Sequence, residues 1–264
     1  MTAAAPDLES LVAALVPLIQ EAGALVMRIY ATDFDVEIKG DESPVTLADQ
    51  CAEKVIFDGL KRITPEIPVV GEEAASAGNI PDVSNRFWLV DPIDGTKEFI
   101  SRNGEFTVNI GLIDHGVPVL GLVLAPALGR LYVGAQGLGA WVEDGLGRRA
   151  IAVRAVPQAG LTVVGSRRHG DTAAVDALLA GRLVATHTTV GSSLKLCLVA
   201  EGQADVYPRF GRTMEWDIAA GDAVLRAAGG AARTVAGAEL GYGKPQFENP
   251  DFVAWGVAPE PAAA

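Results

Sequence analysis

The sequence predicts an α+β first half followed by an α/β second half. Two stretches of helical periodicity open the chain and give way to consecutive strand-like runs. Beyond Pro157 strand and helix patterns alternate, which argues for an α/β layer. With 264 residues, 49% of them hydrophobic, the chain suits one large domain or two subdomains.

Residues 7 to 31 read as a helix, because Leu8, Leu11, Val12, Leu15, Leu18, Ile19 and Ala22 recur near helical spacing. Pro17 is expected to bend it. Residues 46 to 63 read as a second helix, with Leu47, Cys51, Val55, Ile56, Leu60 and Ile63 on one side. Short strands are expected at 68 to 70 and 87 to 90. Segments 106 to 113 and 117 to 124 read as a hairpin closed at Asp114-His115-Gly116. A strand at 130 to 135 continues the meander, Gly137-Leu138-Gly139 reads as a hairpin turn, and 150 to 153 adds an edge. Segments 161 to 164, 172 to 179, 184 to 189 and 193 to 201 then alternate strand and helix. The junction near 154 to 160 divides the chain into subdomains 1–155 and 156–264.

The net charge of −12 argues against a nucleic-acid polymer as partner, since backbone binding needs a basic face. A small anionic substrate stays compatible, because a bound metal inverts the local field. Cys51 and Cys197 have no CxxC spacing, so both are expected in the core and the compartment is expected to be reducing. The first basic residue is Arg28, unlike the charged start of a signal peptide. The longest nearly apolar stretch, 117 to 129, holds Pro118 and Pro126 and falls short of the ~18 residues of a membrane span. A cytoplasmic protein is expected, with peripheral contact at the inner face of the cell membrane left open. The oligomeric state is not encoded in these features. Trp88, Trp141 and Trp255 read as core.

Four acidic elements stand out. Asp49 follows Thr46, and the pair reads locally as a capping box. Glu72-Glu73 follows a short apolar strand and reads alone as a solvated loop. Asp91-Pro92-Ile93-Asp94-Gly95-Thr96 follows the apolar run 87 to 90. Asp217, in Trp216-Asp217, suits the first turn of a helix, where the macrodipole favours acids. Taken together they point to phosphate chemistry. Phosphate-monoester hydrolysis requires accelerations of up to about 10²¹, which no single side chain supplies. Bound Mg²⁺ can supply it, and Mg²⁺ takes oxygen ligands while keeping waters. No His-x-His or Cys pair competes for a softer metal. A P-loop run is absent, and Asp91 and Asp94 stand three apart rather than two, unlike the Asp-x-Asp-Gly-Thr of aspartyl-phosphate phosphatases.

The order Asp49, Glu72-Glu73, Asp91 to Thr96, Trp216-Asp217 and Gly229-Gly230 resembles the lithium-sensitive, magnesium-dependent phosphatases of the inositol monophosphatase superfamily. Asp94 to Ile100, Asn103 to Ile110, Gly191 to Lys195, Ala200 to Asp205 and Tyr207 to Gly211 resemble the bacterial 3′(2′),5′-bisphosphate nucleotidases of the CysQ type within it. The resemblance implies a layered αβαβα sandwich and hydrolysis of adenosine 3′,5′-bisphosphate to AMP and phosphate, in support of sulfate assimilation.

By the same resemblance two to three Mg²⁺ ions are expected. Glu72, Asp91 and the Ile93 carbonyl would hold one, and Asp91, Asp94 and Asp217 a second. Glu72 and Asp49 would organise a third. Thr96 would orient the attacking water, with Asp49 or Glu72 accepting its proton. Gly95 and Thr96 would meet a phosphate oxygen. His169, Ser192, Lys195 and Arg209 would hold the rest of a small nucleotide bisphosphate. The alternatives are the same chemistry on inositol monophosphate or fructose 1,6-bisphosphate, and, in another class, a non-catalytic metal or phosphate sensor.

Overall fold

The computed structural model describes residues 7–38, 44–166 and 171–257. Helix Leu8–Tyr30 begins where the Asp7 carboxylate accepts the Ser10 N–H at 2.8 Å. Its Leu11, Leu15, Ile19, Ala22 and Val26 face inward, and Pro17 lies within it. Helix Leu47–Ile63 packs beside it, and both cover one face of a seven-stranded sheet.

The sheet runs Val69–Gly71, Arg86–Asp94, Thr107–Asp114, Val117–Ala125, Arg130–Ala135, Gly139–Asp144 and Gly147–Ile151. The first pair is parallel and the rest antiparallel. Its central strands are apolar on both sides, as a sheet covered on both faces must be. Trp88, Val90, Ile110 and Leu122 point to the first two helices. Phe87, Leu89, Val123 and Tyr132 point the other way, into a core shared with helices Leu194–Ala200 and Glu215–Ala227.

Those two helices also cover a five-stranded sheet, ordered Val184–Thr189, Leu161–Gly165, Val206–Arg209, Phe252–Trp255 and Ala231–Thr234. Val175 and Leu178 of helix Thr172–Leu178 pack with Leu161, Val163 and Val206 of that sheet. The layers are therefore helix, sheet, helix, sheet, helix, as expected.

One contact fixes the spacing of the central layers. Gly111 stands opposite Gly121, and Gly121 opposite Gly134, on three adjacent strands. A Cβ on Gly121 would lie 2.1 Å from the Ala220 carbonyl oxygen, and one on Gly134 would lie 2.4 Å from the Val224 Cα. Helix Glu215–Ala227 therefore rests almost directly on the sheet backbone. Its other side presents Gly221 to Leu196, where a Cβ would meet Leu196 Cδ1 at 2.6 Å.

The structure corrects four local expectations. The strand expected at 87 to 90 continues through the acidic motif to Asp94, because the segment pairs with Thr107–Asp114 instead of turning away. Strand Gly139–Asp144 was not expected, and it lets the edge strand begin at Gly147. Cys197 is buried, whereas Cys51 is only half-buried. Helix Leu8–Tyr30, not 117 to 129, is the described segment long and apolar enough to cross a membrane. Exposed alanines at Ala13, Ala14 and Ala24 raise its outer face in hydropathy, while its inner face is part of the core.

Replacing Gly121 by Ala forces a backbone shift, because the obstructing atom is a carbonyl oxygen. Overpacking of this kind costs about 1–3 kcal/mol. Thermal denaturation of Gly121→Ala is expected to show a clearly lower Tm, while Gly129→Ala, whose Cβ would meet nothing within 4 Å, tests the separate cost of a positive φ.

Candidate active site

The acids are brought together by the ends of elements. Gly71 pairs with Val90 in parallel register, so Glu72 follows its strand beside Asp91. Asp91 pairs with Asn109, but Asp94 pairs with Thr107, so three steps on one strand match two on the other. That extra residue is a β-bulge. On a regular strand, residues three apart face opposite sides. The bulge shifts the alternation and turns both carboxylates the same way. Pro92, with no N–H, suits the disrupted ladder. The Asp91 carboxylate accepts the Ile93 N–H at 3.0 Å, closing the local turn.

Asp49 performs the capping role and more. Its Oδ2 accepts the Thr46 N–H at 2.7 Å and the Thr46 hydroxyl at 2.6 Å. Its Oδ1 faces Thr96, whose hydroxyl lies 3.4 Å away and also lies 3.2 Å from the Ile93 carbonyl oxygen. Thr96 is not itself a cap. Gly95 precedes the short helix Thr96–Ile100 in the left-handed region, at φ 90°, a conformation that favours glycine. Asp217 accepts the Met214 N–H at 2.9 Å in the first turn of its helix.

Asp94 is held from the opposite side of the cleft. Its Oδ2 accepts the Ser193 N–H at 2.5 Å. The Ser193 hydroxyl is fixed by Thr107 at 2.8 Å and Asn109 at 2.9 Å. Ser192 has a positive φ of 52°, which is costly for a residue with a side chain. The Lys195 ammonium steadies that turn, donating to the Ser192 carbonyl at 2.6 Å and the Val190 carbonyl at 3.3 Å. Glu105 accepts the Gly191 N–H at 2.8 Å.

Glu72, Asp94, Gly95, Thr96, Ser192, Lys195, Arg209 and Asp217 line one cleft. Asp91 and Ile93 are buried behind it. Ser166, Glu98, Tyr207 and Thr213 also line the cleft; Glu98 and Tyr207 lie in segments that carry the family resemblance, but no role was expected of any of the four. Ser193 and Glu105 lie in segments that carry the resemblance too, but their contacts were not expected, since their partners are far away in the chain. Arg209 donates to the Arg212 carbonyl at 2.8 Å. His169 lies outside the described residues.

Burial pushes the Asp91 carboxyl well up from its ordinary value, and the charges of Glu72, Asp94, Asp217 and Asp49 push it further. Burial, then Asp94 and Glu72, raises Asp217. Burial pushes Asp94 up to about 6 against the opposing pull of Lys195 and the Ser193 N–H. Burial likewise pushes Lys195 down to about 8, with Asp94 resisting.

These side chains meet the demands of a hard divalent cation. The donors are all oxygen, and their mutual repulsion is a cost that positive charge would reverse. Among the described residues no three carboxylate, imidazole or thiol groups form a closed ligand cage. Mg²⁺ does not need one, because it retains several waters.

The chain matches the family described as "Inositol monophosphatase family" over residues 7–257. It is 49% identical over 241 residues to the 3′(2′),5′-bisphosphate nucleotidase CysQ of Escherichia coli, covering 89% of this chain and 95% of that protein. The crystal structure of CysQ from Bacteroides thetaiotaomicron superposes with a TM-score of 0.80 at 37% identity, covering 96% of this chain and 99% of that one. An inositol monophosphatase from Anabaena (Nostoc) superposes with a TM-score of 0.76 at 25% identity, over 95% and 92% of the two chains.

The raised carboxyls set a pH dependence for the metal-free protein. A carboxyl whose folded pKa exceeds its unfolded value of about 3.9 adds stability below that value and loses it as pH rises through the folded pKa. For Asp94 that loss runs from about pH 4 to about pH 6. In chelator, the Tm is expected to fall as pH rises from about 4 to about 6, and Mg²⁺ is expected to restore it at pH 7. Asp94→Asn should remain folded and flatten this part of the profile.

Proposed function

Because the chain belongs to the inositol monophosphatase family, we propose that it removes the 3′-phosphate from adenosine 3′,5′-bisphosphate, giving AMP and phosphate, in the cytoplasm. The observation that carries this reading is the Thr96 hydroxyl, set between Asp49 Oδ1 and the Ile93 carbonyl at the mouth of the acid cluster. The 49% identity to a curated nucleotidase supports the substrate.

Two to three Mg²⁺ ions would be held by Glu72, Asp91 and the Ile93 carbonyl, by Asp91, Asp94 and Asp217, and by Glu72 with Asp49. When bound, Mg²⁺ supplies Lewis-acid activation of water and neutralises charge on the phosphate and leaving oxygen. The remaining work falls to side chains. The Thr96 hydroxyl has one proton and two lone pairs. Donating to Asp49 or to the Ile93 carbonyl leaves a lone pair to accept a hydrogen bond from water, which aims the water's own lone pair. Asp49 Oδ1 is the next acceptor on that path, and Glu72 lies across the cleft as another.

Gly95 brings its backbone close to the cleft, and its N–H and that of Thr96 suit a phosphate oxygen. Lys195 and Arg209 add positive charge at the cleft wall for the second phosphate, beside Ser192. His169 completes the proposed nucleotide contacts. Water attacks directly, with no phosphorylated side chain.

Phosphate release from adenosine 3′,5′-bisphosphate is expected to exceed release from inositol 1-phosphate and fructose 1,6-bisphosphate. Preference for either sugar phosphate would reject the nucleotidase reading. EDTA should abolish turnover and millimolar Li⁺ should inhibit it. Thr96→Ala is expected to lower kcat by about 10²–10⁴, the usual worth of a positioned proton-transfer group, with little change in KM.

A further inference from the structure

Helix Glu72–Ser76 has five residues and begins at Gly71, which offers no capping side chain. A helix this short cannot hold its own direction, since nucleation is unfavourable and most of its N–H groups have no partner within it. The missing acceptor comes from another element. Glu53, in helix Leu47–Ile63, accepts the Glu73 N–H on Oε2 and the Ala74 N–H on Oε1, both at 2.8 Å. Both carboxylate oxygens thus accept from the start of the helix that carries Glu72.

The surroundings are shaped for this contact. Glu53 is 7% exposed, so its charge is tolerable only when well bonded. A Cβ on Gly71 would lie 2.4 Å from Glu53 Oε2 and 2.7 Å from the Phe57 ring. Glycine at 71 is what admits the carboxylate. Glu53 also stands one helical turn after Asp49, on the same helix face. One helix therefore sends Asp49 to Thr96 and Glu53 to the backbone beside Glu72.

We propose that Glu53 is a positioning residue: its carboxylate clamps the Glu73 and Ala74 amides so that Glu72 faces Asp91 and the cation. The proposal rests on the functional reading above. A simple cap would affect stability alone, whereas a positioning residue also changes cation affinity. Groups that orient metal ligands without touching the metal usually change affinity 10–100-fold when altered.

The test is calorimetric titration of the substrate-free full chain with Mg²⁺, alongside circular dichroism. Glu53→Gln and Gly71→Ala are each expected to keep the fold and to bind Mg²⁺ about 10–100-fold more weakly, with KM near the parent value. Lys54→Ala, which removes an exposed partner of Asp58, is expected to bind as the parent does. A folded Glu53→Gln with parental Mg²⁺ affinity overturns the proposal while leaving the phosphatase reading intact. A parent chain that binds no Mg²⁺ overturns both. Should the variants not fold, amide exchange in the parent decides: exchange at Glu73 and Ala74 that slows on adding Mg²⁺ supports a clamp coupled to the cation, and exchange that Mg²⁺ leaves unchanged overturns it.

Discussion

Helix Glu215–Ala227 lies so close to the seven-stranded sheet that only hydrogen fits at Gly121 and Gly134, and the height of Asp217 above Asp91 and Asp94 follows from that approach. The same helix meets Leu196 through Gly221 on its other side. That draws in helix Leu194–Ala200, whose preceding turn supplies the Ser193 N–H to Asp94. One close contact between layers therefore locates two of the four acidic segments. Cores packed this tightly deform little, so the site inherits its geometry from the sandwich.

The arrangement carries a cost. Asp91, Asp94 and Asp217 are raised because charge is gathered where water is scarce. The fold offsets part of that cost with one backbone N–H for each, from Ile93, Ser193 and Met214, and with the buried ammonium of Lys195. What remains is a site that gains from a divalent cation. Stability forgone in the free protein would become affinity for the proposed ion, a common trade at functional sites.

Much of this was legible in the sequence, because the signals were local. The Leu8–Tyr30 and Leu47–Ile63 helices follow from their apolar spacing, and Asp49, Glu72, Asp94 and Asp217 sit where a strand ends or a helix begins. For Thr46 and Asp49 the sequence offered a capping box and a site as rivals. The structure shows both, with Oδ2 used for the cap and Oδ1 turned to Thr96. The bulge between Asp91 and Asp94 was not legible, because it is a mismatch of register with Thr107–Asp114. The glycines at 111, 121 and 134 carried no local signal, since their role depends on a helix formed almost a hundred residues later. The contacts of Ser193, Glu105 and Glu53 were hidden for the same reason: each pairs a carboxylate with a backbone N–H that is close only after folding.

The central claim is that the bulged strand, the Glu72 helix and helix Glu215–Ala227 converge on a shared cation site. Anomalous diffraction from crystals soaked in Mn²⁺, a scatterer that takes oxygen ligands as Mg²⁺ does, tests it most directly. The account predicts peaks coordinated by Asp91, with Glu72 and the Ile93 carbonyl on one side and Asp94 and Asp217 on the other. Peaks confined to surface carboxylates elsewhere, with Asp91 and Asp217 free of metal, would contradict it.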